Sequence, residues 1–426
     1  MITIIITVIN IQKLQAIDYS GLKQLLIENS KELQIKKYNI DIEKEELNII
    51  DSQSYPSISF GFNIEKSNLL EKKITSTSVG SSSLTTDNLK KSYSYINLNY
   101  NLYSFGRIEQ KKQKQKHIIN VSSYEYCLTK KNLILKLLEY YYNLLNSKNR
   151  INYLLKVLDL KSKLYKNKEK LFKNGNISKF EVSQTAIEIA ELYSNINEDK
   201  KELENILNQI SIFTNYNFKK DDEFESLEIA SSKEVNFEDT INAKNIISKI
   251  NAKKSEIYLY EKEFLPTLDF YSKYDFYGYD SHSYRTSLSA LRKNSYKFGL
   301  VLSLNIFDGF KTTSLKRKTL LQLKQLQKQY EMQRDKFNYE IKTLKENFKL
   351  EKSIFQNKTK SLKLAFENTI NSTKLYKQGE ITKIDEINKK IENIYKQLEL
   401  QKSKEKLAYE STKKLILLED EKCIVH

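Results

Sequence analysis

At 426 residues, with 39% hydrophobic and 29% charged residues, the chain has length for two or three ordinary domains, and its nine glycines and two prolines leave room for very long helices. A formal net charge of +17 invites a nucleic-acid partner, but the lysines are interleaved with acids, as in Lys36-Lys37 ahead of Glu43-Lys44-Glu45-Glu46. That is the pattern of a solvated helix face and argues against nucleic acid.

Residues 1–9 form a short apolar stretch, with a small residue at Ala16. It has the look of the apolar core of an export signal that lacks a positive leader, so residues 1–18 read as a degraded signal peptide or a mobile tail. A helix is expected over 19–51. After Pro56 the period falls to two: Ile58, Phe60, Phe62 and Ile64 alternate with Ser57, Ser59, Gly61 and Asn63. Ile96, Leu98, Tyr100 and Leu102 then alternate with Asn97, Asn99 and Asn101. The stretch between, 68–91, is rich in Ser and Thr and reads as an exposed hairpin loop. From 107 to 173 no Gly or Pro interrupts, and Leu133, Leu137, Tyr140, Tyr141, Leu144 and Leu145 share one helical face. Such a helix extends roughly 100 Å. Gly175 marks a reversal, a returning helix follows over 179–213, and residues 214–236 read as an equatorial linker.

The second half repeats this order. A helix is expected over 237–264, and Pro266 opens a strand in which Leu268, Phe270, Tyr274 and Phe276 alternate with Thr267, Asp269, Lys273 and Asp275. A loop over 278–295 leads to Phe298, Leu300, Leu302, Leu304 and Ile306, alternating with Lys297, Gly299, Ser303 and Asn305. Then come a long helix over 312–377, a turn at Gly379, a returning helix over 383–418 and a tail over 421–426. No segment reaches the run of about 18 apolar residues that a transmembrane helix needs. Cys127 and Cys423, and the scattered His117, His282 and His426, have neither metal nor redox spacing, so no disulfide framework is expected.

Self-similarity organises the chain as two copies, 19–213 and 237–420. Tyr103-Ser104-Phe105-Gly106-Arg107 corresponds to Phe307-Asp308-Gly309-Phe310-Lys311, and Gly175 and Gly379 stand 204 residues apart. The two prolines are 210 apart, which puts a six-residue excess between Pro56 and Gly106. The fold class is α+β, mainly α. Strands of about ten residues, apolar on one face, fit a tilted transmembrane β-strand. Hairpins in a soluble sandwich also alternate, but the rest of the chain offers helices and no second sheet. Four strands cannot close a membrane barrel, which needs at least about eight, and open edges are not tolerated in lipid. Three copies pooling their strands give twelve.

With these features in order, the chain resembles the TolC-like outer membrane efflux protein family over residues 19–418. The resemblance rests on the doubled Pro-to-strand starts, the strand-to-helix junctions and the two Gly tips followed by Ser178 or Thr382 and an acidic residue. It implies a homotrimer with a 12-stranded transmembrane β-barrel and a trimeric α-barrel, set in outer-membrane lipid of a Gram-negative bacterium and reaching into the periplasm. Its partners are a periplasmic adaptor protein and an inner-membrane transporter. It assigns Gly175, Asn176, Ile177, Ser178, Gly379, Glu380, Ile381 and Thr382 to adaptor contact. Asp385 and Asn388 fall on positions facing the lumen at the constriction, and Glu181 and Tyr376 on positions of the polar lock. The arginine of that lock is missing near Ile381. A plain turn at each tip, and a solvated helix face at Asp385, remain open alternatives.

The sequence holds no phosphate-binding Gly loop, no nucleophile beside a base and no metal-spaced His or Cys, so neither catalysis nor a cofactor is expected. The expected function is a passive exit duct of a tripartite efflux or type I secretion system. Its rivals are a periplasmic tether or adhesin without a lumen and a basic coiled coil that binds nucleic acid.

Overall fold

The computed structural model describes residues 17–68, 88–218, 222–229 and 235–418. Its elements are α1 (Tyr19–Asn29), α2 (Lys31–Ser52), β1 (Ser57–Asn68), β2 (Asn88–Tyr103), α3 (Arg107–Lys173), α4 (Lys179–Thr214), α5 (Ile241–Glu261), β3 (Thr267–Asp280), α6 (Tyr284–Ser289), β4 (Lys293–Ser303), α7 (Lys311–Gln378) and α8 (Lys383–Leu418), with a 3-10 turn at Phe237–Asp239 before α5. The chain is mainly helical with one small antiparallel sheet. Both halves present helix, two strands, long helix and returning helix in that order. They fold into two compact units, each drawing on both halves: one takes described residues up to 39, 123–245 and those from 330 on, the other 40–122 and 246–329.

In the second unit the sheet has the order β1-β2-β3-β4, antiparallel throughout. Pro56 and Pro266 each stand one residue before a strand, because proline denies the helix a donor and drives the preceding residue extended. The period of two then puts one residue set on each face. Ile58 with Leu98, Phe60 with Ile96, Phe270 with Leu300 and Leu268 with Leu302 are register partners on one side. This apolar row is uncovered: Ile58 is 70% exposed, Phe60 72%, Phe298 68% and Leu302 67%. The other side is polar. There Asn101 Nδ2 donates to Asp269 Oδ1 (2.7 Å), and Lys273 pairs with Asp275 (2.8 Å) while lying over the Tyr95 ring. Tyr95 also crosses Gly61, its partner on β1, where a Cβ would collide with the ring.

The first unit is built on α3. One apolar cluster joins Leu22, Leu26 and Leu33 of α1 and α2, residues from Leu133 to Leu145 of α3, Ile206 and Ile210 of α4, Leu227 and Ala408 of α8. A second joins Leu154, Val157, Leu158 and Leu164 to Leu192, Ile196, Ile387 and Ile391. Tyr141 is wholly buried, its hydroxyl shared between the carbonyls of Ile17 (2.9 Å) and Glu225 (2.7 Å). Burial pushes that phenol up. Ile17 itself forms a parallel bridge with Phe224 of the linker, and Asp18 caps α1 by accepting from the Gly21 N–H (2.9 Å).

Some elements differ from expectation. The helix expected over 19–51 is two helices, because the Ser30 hydroxyl accepts from Leu33 N–H and starts a new one. The helix expected over 237–264 is a 3-10 turn followed by α5, with Thr240 Oγ1 accepting from Ala243 N–H. The loop over 278–295 is mostly ordered: β3 runs on to Asp280, β4 begins at Lys293 and α6 lies between. Cys127, buried on α3, is disulfide-bonded, against expectation, since a cross-link between distant residues leaves no local motif. Its partner lies outside the described residues. So do residues 1–16 of the supposed signal, most of the first hairpin loop, parts of the linker and the tail.

Candidate functional site: the two helical tips

Both tips are built by the same backbone device. At the end of α3, Gly175 N–H bonds the Phe172 carbonyl (2.9 Å) and Asn176 N–H the Leu171 carbonyl (2.9 Å). At the end of α7, Gly379 N–H bonds the Tyr376 carbonyl (3.1 Å) and Glu380 N–H the Leu375 carbonyl (3.0 Å). This paired closure is the Schellman arrangement, and it needs a left-handed residue. Gly175 has φ of 74° and Gly379 of 79°. The returning helices are then capped. Ser178 accepts from Glu181 N–H (3.3 Å), whereas Thr382 and Asp385 cap reciprocally. Asp385 N–H donates to Thr382 Oγ1 (3.2 Å), and Asp385 Oδ2 accepts from Thr382 N–H (3.1 Å) and Thr382 Oγ1 (2.6 Å).

The eight residues assigned to adaptor contact lie on these turns, exposed except for the half-buried Ile177 and Ile381. Asp385 and Asn388 are exposed on the first turns of α8, and Asp385 is engaged by its own cap. Tyr376 lies under the Lys383 ammonium, 4.4 Å from ring centroid to nitrogen. The Glu181 carboxylate and the Asn388 side chain make no hydrogen bond or ion pair among the described residues, so the chain alone does not join Glu181 to Tyr376.

One residue was overlooked by reading the sequence. Glu386, only 2% exposed, takes Lys383 at 2.5 Å and Lys390 at 2.7 Å, with Thr373 Oγ1 at 3.4 Å. Burial opposes its charge, but the two ammonium groups prevail and hold its carboxyl below the ordinary value; the bond to Glu386 in turn raises Lys383. The Lys-x-x-Glu-x-x-x-Lys spacing of 383, 386 and 390 carried the signal, since residues three and four apart meet on a helix. Lys383 thus touches both Glu386 and the Tyr376 ring and forms the centre of this tip.

An exposed apolar sheet face, very long helices and Gly-turned tips are the features of this architecture, and known proteins share it. The family model for outer membrane efflux proteins matches residues 22–214. The fold over most of the chain is that of solved outer-membrane channels. It matches CusC, whose structures concern transmembrane channel formation, with TM-score 0.75 at 14% identity over 95% of this chain and 92% of that one. It matches VceC of Vibrio cholerae with TM-score 0.73 at 12% identity over 94% of each, and the Campylobacter jejuni CmeC outer membrane channel with TM-score 0.69 at 17% identity over 94% and 84%. No curated protein matches by sequence. The family model thus covers residues 22–214, under half of the chain, and the fold shared with these channels extends over most of it.

Proposed function

We propose that the protein is the passive outer-membrane exit duct of a tripartite efflux or type I secretion system. One observation carries the reading: a four-stranded sheet with its apolar row uncovered and its opposite face lined by Asn, Asp and Lys. Water on both sides would not tolerate so much contiguous apolar surface, and four strands leave two open edges. Three copies resolve both problems by closing a 12-stranded barrel with lipid outside and water inside. The helices then form the periplasmic conduit. The tips, Gly175 to Ser178 and Gly379 to Thr382, meet the adaptor protein, and an inner-membrane transporter supplies the energy. Asp385 from three chains forms a carboxylate ring at the constriction, with Asn388, Glu181 and Tyr376 around it, and such a ring favours cations. The described parts of the linker, 214–218, 222–229 and 235–236, belong to the equatorial belt between the two copies of a duplicated unit.

Single-channel conductance of the detergent-purified protein in planar bilayers tests this. Discrete pores are expected, with cation preference reduced in Asp385→Ala. Pores that ignore the substitution remove Asp385 from the constriction. A folded trimer that never conducts, even with its tips loosened by substitution, turns the reading to a tether, and a fully water-soluble monomer removes the membrane altogether.

A further inference from the structure

Followed away from the prolines, the apolar face of the sheet ends in cations. On β1 the outward row runs Ile58, Phe60, Phe62, Ile64 and then Lys66; on β2 the facing row ends at Lys90, the register partner of Lys66. Two like charges opposed across a strand pair repel, and the one acid on this end of the face is Asp280, the register partner of Lys90 on β3. Helix α6 is seated on the same end of the sheet. Ser287, fully buried, places its hydroxyl 3.0 Å from that of Ser92 and donates to the Gly278 carbonyl (2.9 Å). This seat brings more positive charge to the same end of the sheet. Arg285 projects from α6, Arg292 and Lys293 follow it, and all three are exposed.

Their partners are not acids. Lys90 donates to the His282 carbonyl (2.5 Å) with its ammonium 5.1 Å from the Tyr284 ring centroid, and Lys293 contacts the Tyr279 hydroxyl (2.6 Å). Glu65 pairs with Lys91, and Asp280 is occupied by the N–H groups of His282 and Ser283, each at 2.7 Å. Among the described residues no carboxylate lies within 4.0 Å of Lys66, Lys90, Arg285 or Arg292. Beside them Tyr284 and Leu288 are exposed, an aromatic and an aliphatic side chain at the boundary where the apolar row gives way to charge.

We infer that Lys66, Lys90, Arg285 and Arg292 form a binding site for the phosphate groups of an anionic glycolipid in the outer leaflet. The inference rests on the membrane reading of the sheet. Because the helices leave from the proline end, the cationic end is the one that reaches the outer leaflet. A phosphate there answers cations that touch no carboxylate, while the acyl chains of the same molecule lie along Ile64, Phe62 and Phe60. A free phosphate ion meets the first need and not the second, which is why the occupant is a lipid.

The test reconstitutes the full-length protein into nanodiscs of neutral phosphatidylcholine doped with lipid A or its dephosphorylated form, and counts retained glycolipid by native mass spectrometry. Lipid A is expected to be retained about tenfold more than the dephosphorylated form. Lys66→Gln with Lys90→Gln should abolish that preference, and Lys66→Arg with Lys90→Arg should keep it. Equal retention of the two glycolipids, or a preference that survives the glutamines, overturns the site. Displacement of lipid A by inorganic phosphate reassigns it to a soluble anion and overturns the lipid. Insertion into neutral nanodiscs without preference sinks this inference alone, whereas failure to insert at all sinks the membrane reading with it.

Discussion

Helices α3 and α7 are nearly equal in length, 67 and 68 residues, and occupy the same place in the element order of their halves, yet they are packed in opposite ways. In the first unit, Leu137, Leu138, Tyr141, Leu144 and Val157 of α3 are inaccessible. Along residues 330–378 of α7, Ala365 is the sole buried apolar residue, while Met332, Tyr339, Leu350, Leu364 and Phe366 are each more than half exposed. The cause is the company each helix keeps. α1, α4, α8 and the segment around Leu227 gather on α3, and no comparable cluster forms on α7. One helix is therefore a core element of its own chain, and the other is a surface awaiting a neighbour, which in the proposed trimer is the next copy.

The largest effect that can break this comparison comes from truncating equivalent side chains on the two helices. Leu137→Ala empties a site in the main cluster and should cost about 3 kcal/mol in urea denaturation. Leu350→Ala should stay within about 0.5 kcal/mol in the dissociated chain, because it removes little buried surface, and should instead shift the trimer toward monomer in sedimentation. If Leu350→Ala destabilises the separate chain as much as Leu137→Ala does, α7 has its partner within the chain and the contrast is wrong.

How much of this was legible in the sequence follows from the physics of each element. α3 and α8 matched their expected bounds of 107–173 and 383–418, because nothing in those stretches breaks a helix and the tip glycines, Gly175 and Gly379, separate them from their neighbours. The strands were legible through their period of two, reinforced by the prolines, although the fourth, expected to run through Ile306, ends at Ser303. What escaped was tertiary. Ser30 is an ordinary polar residue on a helix until its hydroxyl caps Leu33. Helix α6 is six residues long, too short for a period, and is held by Ser287 against Ser92, a residue 195 positions away. At the tips, the family resemblance singles out Asp385, while the buried carboxylate is Glu386, one residue on. Spacing alone revealed neither that Glu386 is buried nor that two lysines close over it.

Glu386 also sharpens the comparison between the halves, since 204 residues earlier the equivalent position is the buried Val182. The tips share a turn and differ in what lies beneath it. Glu386→Gln leaves Lys383 and Lys390 without their anion and should cost about 2 kcal/mol at neutral pH. Because the folded carboxyl titrates below its ordinary value, this stabilisation is complete above the ordinary carboxylate range and is lost as the pH falls through the lower folded value. The gap between wild type and Glu386→Gln should therefore close in acid. Val182→Ala, which removes only apolar contact, should lose about 1 kcal/mol at every pH. Urea midpoints across the acid range separate the two, and a Glu386→Gln gap that is flat with pH contradicts the clamp.

The turns themselves should respond alike. Gly175→Ala and Gly379→Ala introduce a Cβ into open space, with no atom within 4 Å at either site, so only the left-handed backbone is penalised. About 1 kcal/mol is expected at each. Unequal costs in thermal melting would mean that one turn is not held by its glycine.

The smallest expected effect separates the two caps, and it bears on the gate. Thr382 and Asp385 serve each other, whereas Ser178 accepts from Glu181 N–H and receives nothing from its side chain. Thr382→Ala and Asp385→Ala should each cost about 0.5–1 kcal/mol and couple in a double-mutant cycle, while Ser178→Ala and Glu181→Ala should add independently. The same pair divides the two meanings of Asp385. Thr382→Ala removes the cap but keeps the carboxylate, so a charge ring predicts altered cation preference in Asp385→Ala alone. If Thr382→Ala changes conductance just as much, Asp385 acts by fixing the start of α8, and its charge is not what the passing ion feels.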